Sequence, residues 1–182
     1  MSPETLSRGE SPPAEAMAAR TIVTFRLAGE EHGIPVERVL EVLAQPRTTR
    51  VPTTPDWIRG IMHLRGGVVP VLDLAAKLGL GLTPIDRHTC VVLLDSEALG
   101  ERRTVGLLVE SAERLLEVAP EAVEPPPSFG TKISVDYLTG LVRVGESYVL
   151  LLEIEKALSV KELSRLHRAG DAAPVADSPD SP

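Results

Sequence analysis

The chain has 182 residues, 43% of them apolar, enough to bury one core or one domain built of two lobes. Its net charge is −7; residues 21–168 carry 17 Lys and Arg against 20 Asp and Glu, a net of −3, so the two ends contribute the other −4. A middle this close to neutrality excludes general nucleic-acid binding. No apolar run approaches the roughly 18–20 residues of a membrane span, which excludes direct membrane insertion, and a single cysteine, Cys90, points to a reducing cytoplasm.

In chain order, residues 1–20 are rich in Pro, Ser, Ala and acid, lack an apolar signal core, and are expected to form a disordered tail. "TIVTFRL" (21–27) alternates, with Val23, Phe25 and Leu27 on one face and Thr24 and Arg26 on the other, as a half-buried strand does. "VERVLEVL" (36–43) places Val36, Val39, Leu40 and Leu43 at i, i+3, i+4 and i+7 and predicts a short helix. Strand-like runs recur at 33–36, 50–52, 60–65, 68–72, 88–94, 103–109, 116–118, 140–144 and 147–152. The turn signals "AGEEHG", "RGG", "SEALGE" and "VGES" separate them. Residues 169–182 predict a second disordered, acidic tail. The pattern is all-β with short helices as lids, in one domain over 21–168.

An internal repeat refines this. Shifted by 80 positions, 60–78 lies over 140–158, pairing Gly60 with Gly140, Val69 with Val149, Asp73 with Glu153 and Leu78 with Leu158. A shift of 73 lays "GIPVE" (33–37) over "GLLVE" (106–110). Two similar units in one chain predict two small β-barrels side by side, with a groove between them.

Catalytic and metal chemistry find little support. His32, His63, His88 and His167 have no metal-ligand spacing, and no nucleophile-elbow, phosphate-loop or dinucleotide motif occurs, so neither a metal nor a cofactor is expected. Asp73 and Glu153 tempt as a carboxylate pair, but each precedes a short helix, where an acid favours the N-terminus without any catalysis. Cys90 opens an apolar strand and reads as a small core residue. Between 42 and 72 four arginines (47, 50, 59, 65) face one acid, Asp56, a local +3. Only Trp57 is available there for base stacking, so an acidic protein partner suits this stretch better than nucleic acid. Arg65, in the turn "HLRGG", is expected to point outward with its donors free for carboxylates or carbonyls.

The ordered series "TFRLAGEEHGIPVERVLEVL", "RVPTTPDWIRGIMHLRGGVVPVLDLAAKLGL", "VGLLVESAERLLEV", "VEPPP" and "YLTGLVRVGESYVLLLEIEKAL" resembles the CheW family of chemotaxis coupling proteins from about 21 to 160. The resemblance implies two five-stranded, SH3-like barrels. It implies a non-catalytic adaptor joining the regulatory domain of a CheA-like histidine kinase to the cytoplasmic tip of a methyl-accepting chemoreceptor, in the cytoplasm or at membrane receptor arrays. It also implies receptor-binding roles for Arg65, Gly60, Gly140 and Val39, and a kinase-side role for Glu41. The residues alone allow blander roles: for the two glycines, positions where a side chain would clash or φ is positive; for Val39, core packing; for Glu41, solvation. His32 and His63 depart from the family pattern, which has an aromatic at the first position and an asparagine at the second. Two other readings remain open, a coupling-like protein of a chemosensory array outside chemotaxis and an SH3-like peptide-binding module with no kinase partner.

Overall fold

The computed structural model describes residues 19–44, 46–97 and 102–158. Residues 1–18 of the expected N-terminal tail, the whole expected C-terminal tail and most of the "SEALGE" turn lie outside the described residues, whereas Arg20, expected in the tail, opens the first strand. Two sheets carry the fold. The first joins β1 (Arg20–Leu27), β2 (Glu30–Pro35), β8 (Ser111–Val118), β9 (Val123–Glu124), β10 (Leu138–Val144) and β11 (Ser147–Leu152) in the order β8-β1-β2-β11-β10-β9. The second joins β3 (Val39–Ala44), β4 (Ile58–Leu64), β5 (Gly67–Asp73), β6 (Cys90–Ser96) and β7 (Arg103–Val109) in the order β3-β6-β7-β5-β4. One-turn helices α1 (Leu74–Lys77) and α2 (Ile154–Ala157) follow β5 and β11.

The two sheets are copies of one plan, and the plan explains why the sequence repeat has two offsets. Hairpins β4–β5 and β10–β11 correspond at 80 positions, strands β2 and β7 at 73. In one sheet Val71 of β5 registers with Gly106 of β7, a parallel pair; in the other Leu151 of β11 registers with Gly33 of β2. The single bridge from Thr49 to Ile61 matches the short β9–β10 pairing of Glu124 with Leu141. Burial over 60–70 repeats residue for residue over 140–150. The N-terminal hairpin β1–β2 therefore completes the lobe whose other strands come from the C-terminal half, while β3–β7 form the other lobe without a break.

Each lobe has its own interior: Met62, Val69, Val71, Val91, Leu93 and Leu108 in one, Ile22, Val118, Val142 and Val149 in the other. The opposite faces of the central strands meet in a third, larger cluster that includes Phe25, Leu27, Ile34 and Leu150 from the first sheet and Leu72, Val92, Leu94 and Leu107 from the second. The space between the lobes is a packed core where the sequence suggested a groove. Strands covered on both faces read as near-continuous apolar runs, as "CVVLL" does.

The helix expected over 36–43 is a 3₁₀ turn, Val36–Arg38, followed by strand β3. Five of the six residues of β3 are apolar, so the run has no period-two signature of its own, and pairing with β6 from Val39↔Leu94 to Ala44↔Cys90 settles the choice. The run at 50–52 contributes no strand, and Thr49 alone bridges to β4.

Candidate functional site

The site grows from the β4–β5 hairpin. Leu64 registers with Gly67, leaving Arg65 and Gly66 as a two-residue loop with φ of 51° and 80°. Positive φ at both positions is what a tight hairpin with native strand twist requires, and glycine meets it at the second position. Arg65 adopts the left-handed conformation despite its side chain, an uncommon state for a non-glycine residue. The result is a side chain 76% exposed at the tip, pointing outward as its sequence context suggests.

Arg65 is nonetheless not free. Its Nη2 donates to Oε2 of Glu41 at 2.8 Å, joining the hairpin to β3 across 24 positions of sequence. Glu41 sits just past a bulge in the β3–β6 register, between Val39 and Glu41, and is half-buried. Leu40, Glu41, Leu64, Arg65, Val68 and Leu93 line a shallow groove of about 500 Å³, with Arg102, Arg103 and Thr104 along one side. β3 is an edge strand, and Leu40 (52% exposed) and Val42 (41%) stand out from it, as Val68 (41%) does from the hairpin. Apolar side chains on an exposed strand edge next to an ion pair form an adhesive surface. Sequence patterning missed Leu40 because the helical reading put it on a buried stripe. No local signal could have found it: five of the six residues of β3 are apolar, and the single polar one, Glu41, shares the inward face with Val39 and Leu43.

The other expected residues fall in different environments. Val39 is half-buried against the shared core, as its spacing favours. Gly60 and Gly140 are both buried, at matching register slips in β4 and β10. At Gly60, φ is +139°, and a Cβ would fall on the Thr49 carbonyl, 2.7 Å from its carbon. At Gly140 it would meet Val123 Cγ1 at 2.6 Å and the Glu124 carbonyl oxygen at 2.8 Å. Gly60 thus admits the close approach of the Thr49 backbone, and Gly140 that of β9.

The local +3 between 42 and 72 is mostly internal. Arg50 lies 3.4 Å from Asp56, Arg59 3.6 Å from Asp73, and Arg65 pairs with Glu41. Two of these acids, Glu41 and Asp73, lie one position outside the counted window, which is why linear charge counting saw an open patch. Asp73 is fully buried and caps α1 through the Ala76 amide, while also accepting from the amide and hydroxyl of Thr83, both at 2.8 Å. Its repeat counterpart Glu153 makes no side-chain cap bond, so the two acids are not a symmetric pair. Among the described residues no group of three His, Cys, Asp or Glu converges to hold a metal ion.

His32 is fully buried, registered against Phe25 and Leu150 in the shared core. Burial pushes its pKa from 6.5 down to about 4, against the opposing effect of a bond from Nδ1 to the Glu30 carbonyl. His63 is exposed on β4, opposite Val68 and two positions from Arg65. Cys90 is buried in the shared core, and burial pushes its thiol pKa up.

Against known families, residues 21–162 match the model described as a CheW-like domain. The chain belongs to the CheW family. It is 36% identical over 140 residues to the chemotaxis protein CheW of Klebsiella aerogenes, covering 77% of this chain and 82% of that one. With the CheW of Treponema pallidum it shares 30% over 152 residues, covering 80% and 85%. The crystal structure of the scaffolding protein TtCheW from Thermoanaerobacter tengcongensis matches with a TM-score of 0.68 at 27% identity, covering 77% of this chain and 92% of that one. The two-lobed β architecture is that of the CheW fold, and the protein is a coupling adaptor of the chemotaxis type. No helix among the described residues is long and apolar enough to cross a membrane.

Proposed function

We propose that this adaptor links the regulatory domain of a CheA-like histidine kinase to the cytoplasmic tip of a methyl-accepting chemoreceptor, acting in the cytoplasm and at receptor arrays without chemistry of its own. The observation that carries the reading is the Arg65–Glu41 pair at the rim of the groove, beside the exposed Leu40, Val42 and Val68. A guanidinium presented by a fixed turn offers planar donors to carboxylates or carbonyls of a helical hairpin, and the apolar edge supplies buried area around it. Glu41 holds the guanidinium in one orientation, which lowers the ordering cost of binding. It stands where the receptor and kinase footprints adjoin. Gly60, Gly140 and Val39 act on the receptor side by setting the positions of β4, β10 and β3. Because both partners contact one rigid body, a change in receptor state reaches the kinase as a coupling free energy between two sites.

The test is a pull-down of the purified chain and of Arg65→Ala against the kinase regulatory domain and a receptor-tip hairpin. The expected result is kinase capture by both proteins and receptor capture by the unaltered chain alone. A folded Arg65→Ala that still captures the receptor removes Arg65 from the interface. Failure of both proteins to capture any kinase regulatory domain overturns the coupling reading.

A further inference from the structure

The groove at the β4–β5 hairpin carries cationic charge that the barrel does not require. β5 and β7 run parallel, with Val71 beside Gly106, so the start of β7 lies at the same end of the sheet as Gly67 and Val68. Arg102 immediately precedes β7 and thereby joins Leu40, Arg65 and Val68 in lining the groove. Among the described residues that line it, Glu41 is the single acid, and Arg65 already engages it at 2.8 Å. Arg102 is 76% exposed, and its ion-pair contact, with Glu97 at 3.9 Å, is itself largely in water and too loose to hold a guanidinium. The counterpart lobe shows that this charge is not a demand of the fold. The 73-position repeat that lays β7 over β2 puts Gly29, Glu30 and Glu31 where this lobe has Arg102, Arg103 and Thr104. Two strands with the same parallel pairing therefore carry opposite charge at their starts.

We propose that Arg102 and Arg65 together grip a carboxylate of the docked partner, so that the groove selects a helix bearing an aspartate or glutamate with apolar residues three or four positions to either side. This rests on receptor docking at this face, and it adds the chemistry the docked helix must present and a second arginine that reads it. Guanidiniums gathered at one groove repel one another, and an entering carboxylate relieves that repulsion with charge-assisted hydrogen bonds. Residues three and four apart share a helix face, so the apolar neighbours of that carboxylate meet Leu40 and Val68, both exposed beside the arginines. Buried Val69 and Leu93 form an apolar floor, which strengthens an ion pair formed above it by excluding water. The whole chain carries −7, so an acidic helix is repelled over most of its surface and drawn to this cationic end.

The test titrates the full-length chain with a receptor-tip hairpin and reads affinity by calorimetry. Arg102→Glu is expected to weaken binding by about tenfold or more while keeping the parent's thermal unfolding and kinase capture. Arg143→Glu makes the same charge change on the exposed face of the counterpart hairpin and is expected to alter affinity by less than about twofold. Affinity of the parent is expected to fall as ionic strength rises from about 0.01 to 0.15 M, and to fall less steeply in Arg102→Glu. In a set of hairpins that each have one acid changed to lysine, one is expected to bind Arg102→Glu more tightly than it binds the parent. Unchanged binding by Arg102→Glu, an equal loss in Arg143→Glu, loss of kinase capture, or no lysine hairpin that restores binding overturns the role of Arg102. Hairpin binding that survives Arg65→Ala as well overturns the receptor reading beneath it.

Discussion

Gly60→Ala separates a contact role for this residue from a structural one. With φ at +139°, an alanine is strained at a cost of about 1–3 kcal/mol. Its methyl group must also displace the Thr49 carbonyl, breaking the two backbone hydrogen bonds that tie Thr49 to Ile61, at 2.8 and 2.9 Å. At about 1 kcal/mol each, these raise the expected loss to roughly 3–5 kcal/mol. Gly140→Ala meets the Val123 side chain and the Glu124 carbonyl at ordinary φ, so overpacking of about 1–3 kcal/mol is expected there. Urea unfolding measures both. With a slope of about 1–3 kcal/mol/M, the Gly60→Ala midpoint is expected to fall by about 2 M, and that of Gly140→Ala by less. Receptor capture by Gly60→Ala should decline in step with displacement of β4. A Gly60→Ala protein within about 0.5 kcal/mol of the parent that nonetheless loses the receptor refutes the structural account and makes Gly60 a contact residue.

Arg65→Ala is expected to change stability by less than about 1 kcal/mol, because the pair it breaks is largely in water; a larger loss in urea unfolding removes it as a clean probe of binding. His32 gives the fold an acid limit. The unfolded chain takes up this proton near pH 6.5 and the folded chain only near 4, so stability is complete above pH 6.5 and falls as pH drops toward 4, by about 3 kcal/mol in all. His32→Phe, facing Phe25 and Leu150, is expected to flatten that slope when urea midpoints at pH 7 and 4.5 are compared. Asp73→Ala leaves Thr83 and the Ala76 amide without their acceptor and is expected to cost about 3 kcal/mol or more, whereas Glu153→Gln is expected to be near neutral; thermal unfolding of the pair checks the asymmetry.

Much of the architecture was legible locally. The alternation of "TIVTFRL", the turn at Arg65 and Gly66, and the repeat of 60–78 over 140–158 are short-range features, set by a side-chain period of two and by the φ that a two-residue loop demands. They were enough to give strands, hairpins and two similar lobes. The length of β3 was not legible, because its residues are apolar on both faces and are assigned by their partner strand and not by a local period.

Tertiary structure alone decided which halves of the chain share a lobe. β1 pairs with β8 about ninety positions away, and no local pattern distinguishes that partner from another apolar strand. It also decided that the outer faces of the central strands meet in a common core, which removed the expected groove and buried His32. The Arg65–Glu41 pair belongs to the same class. The sequence by itself determined that an arginine would stand at the hairpin tip, because turn geometry is local. Only the folded sheet, with a bulge in β3 that turns Glu41 toward the hairpin, decided what the arginine meets, because an ion pair depends on proximity in space and not on order along the chain.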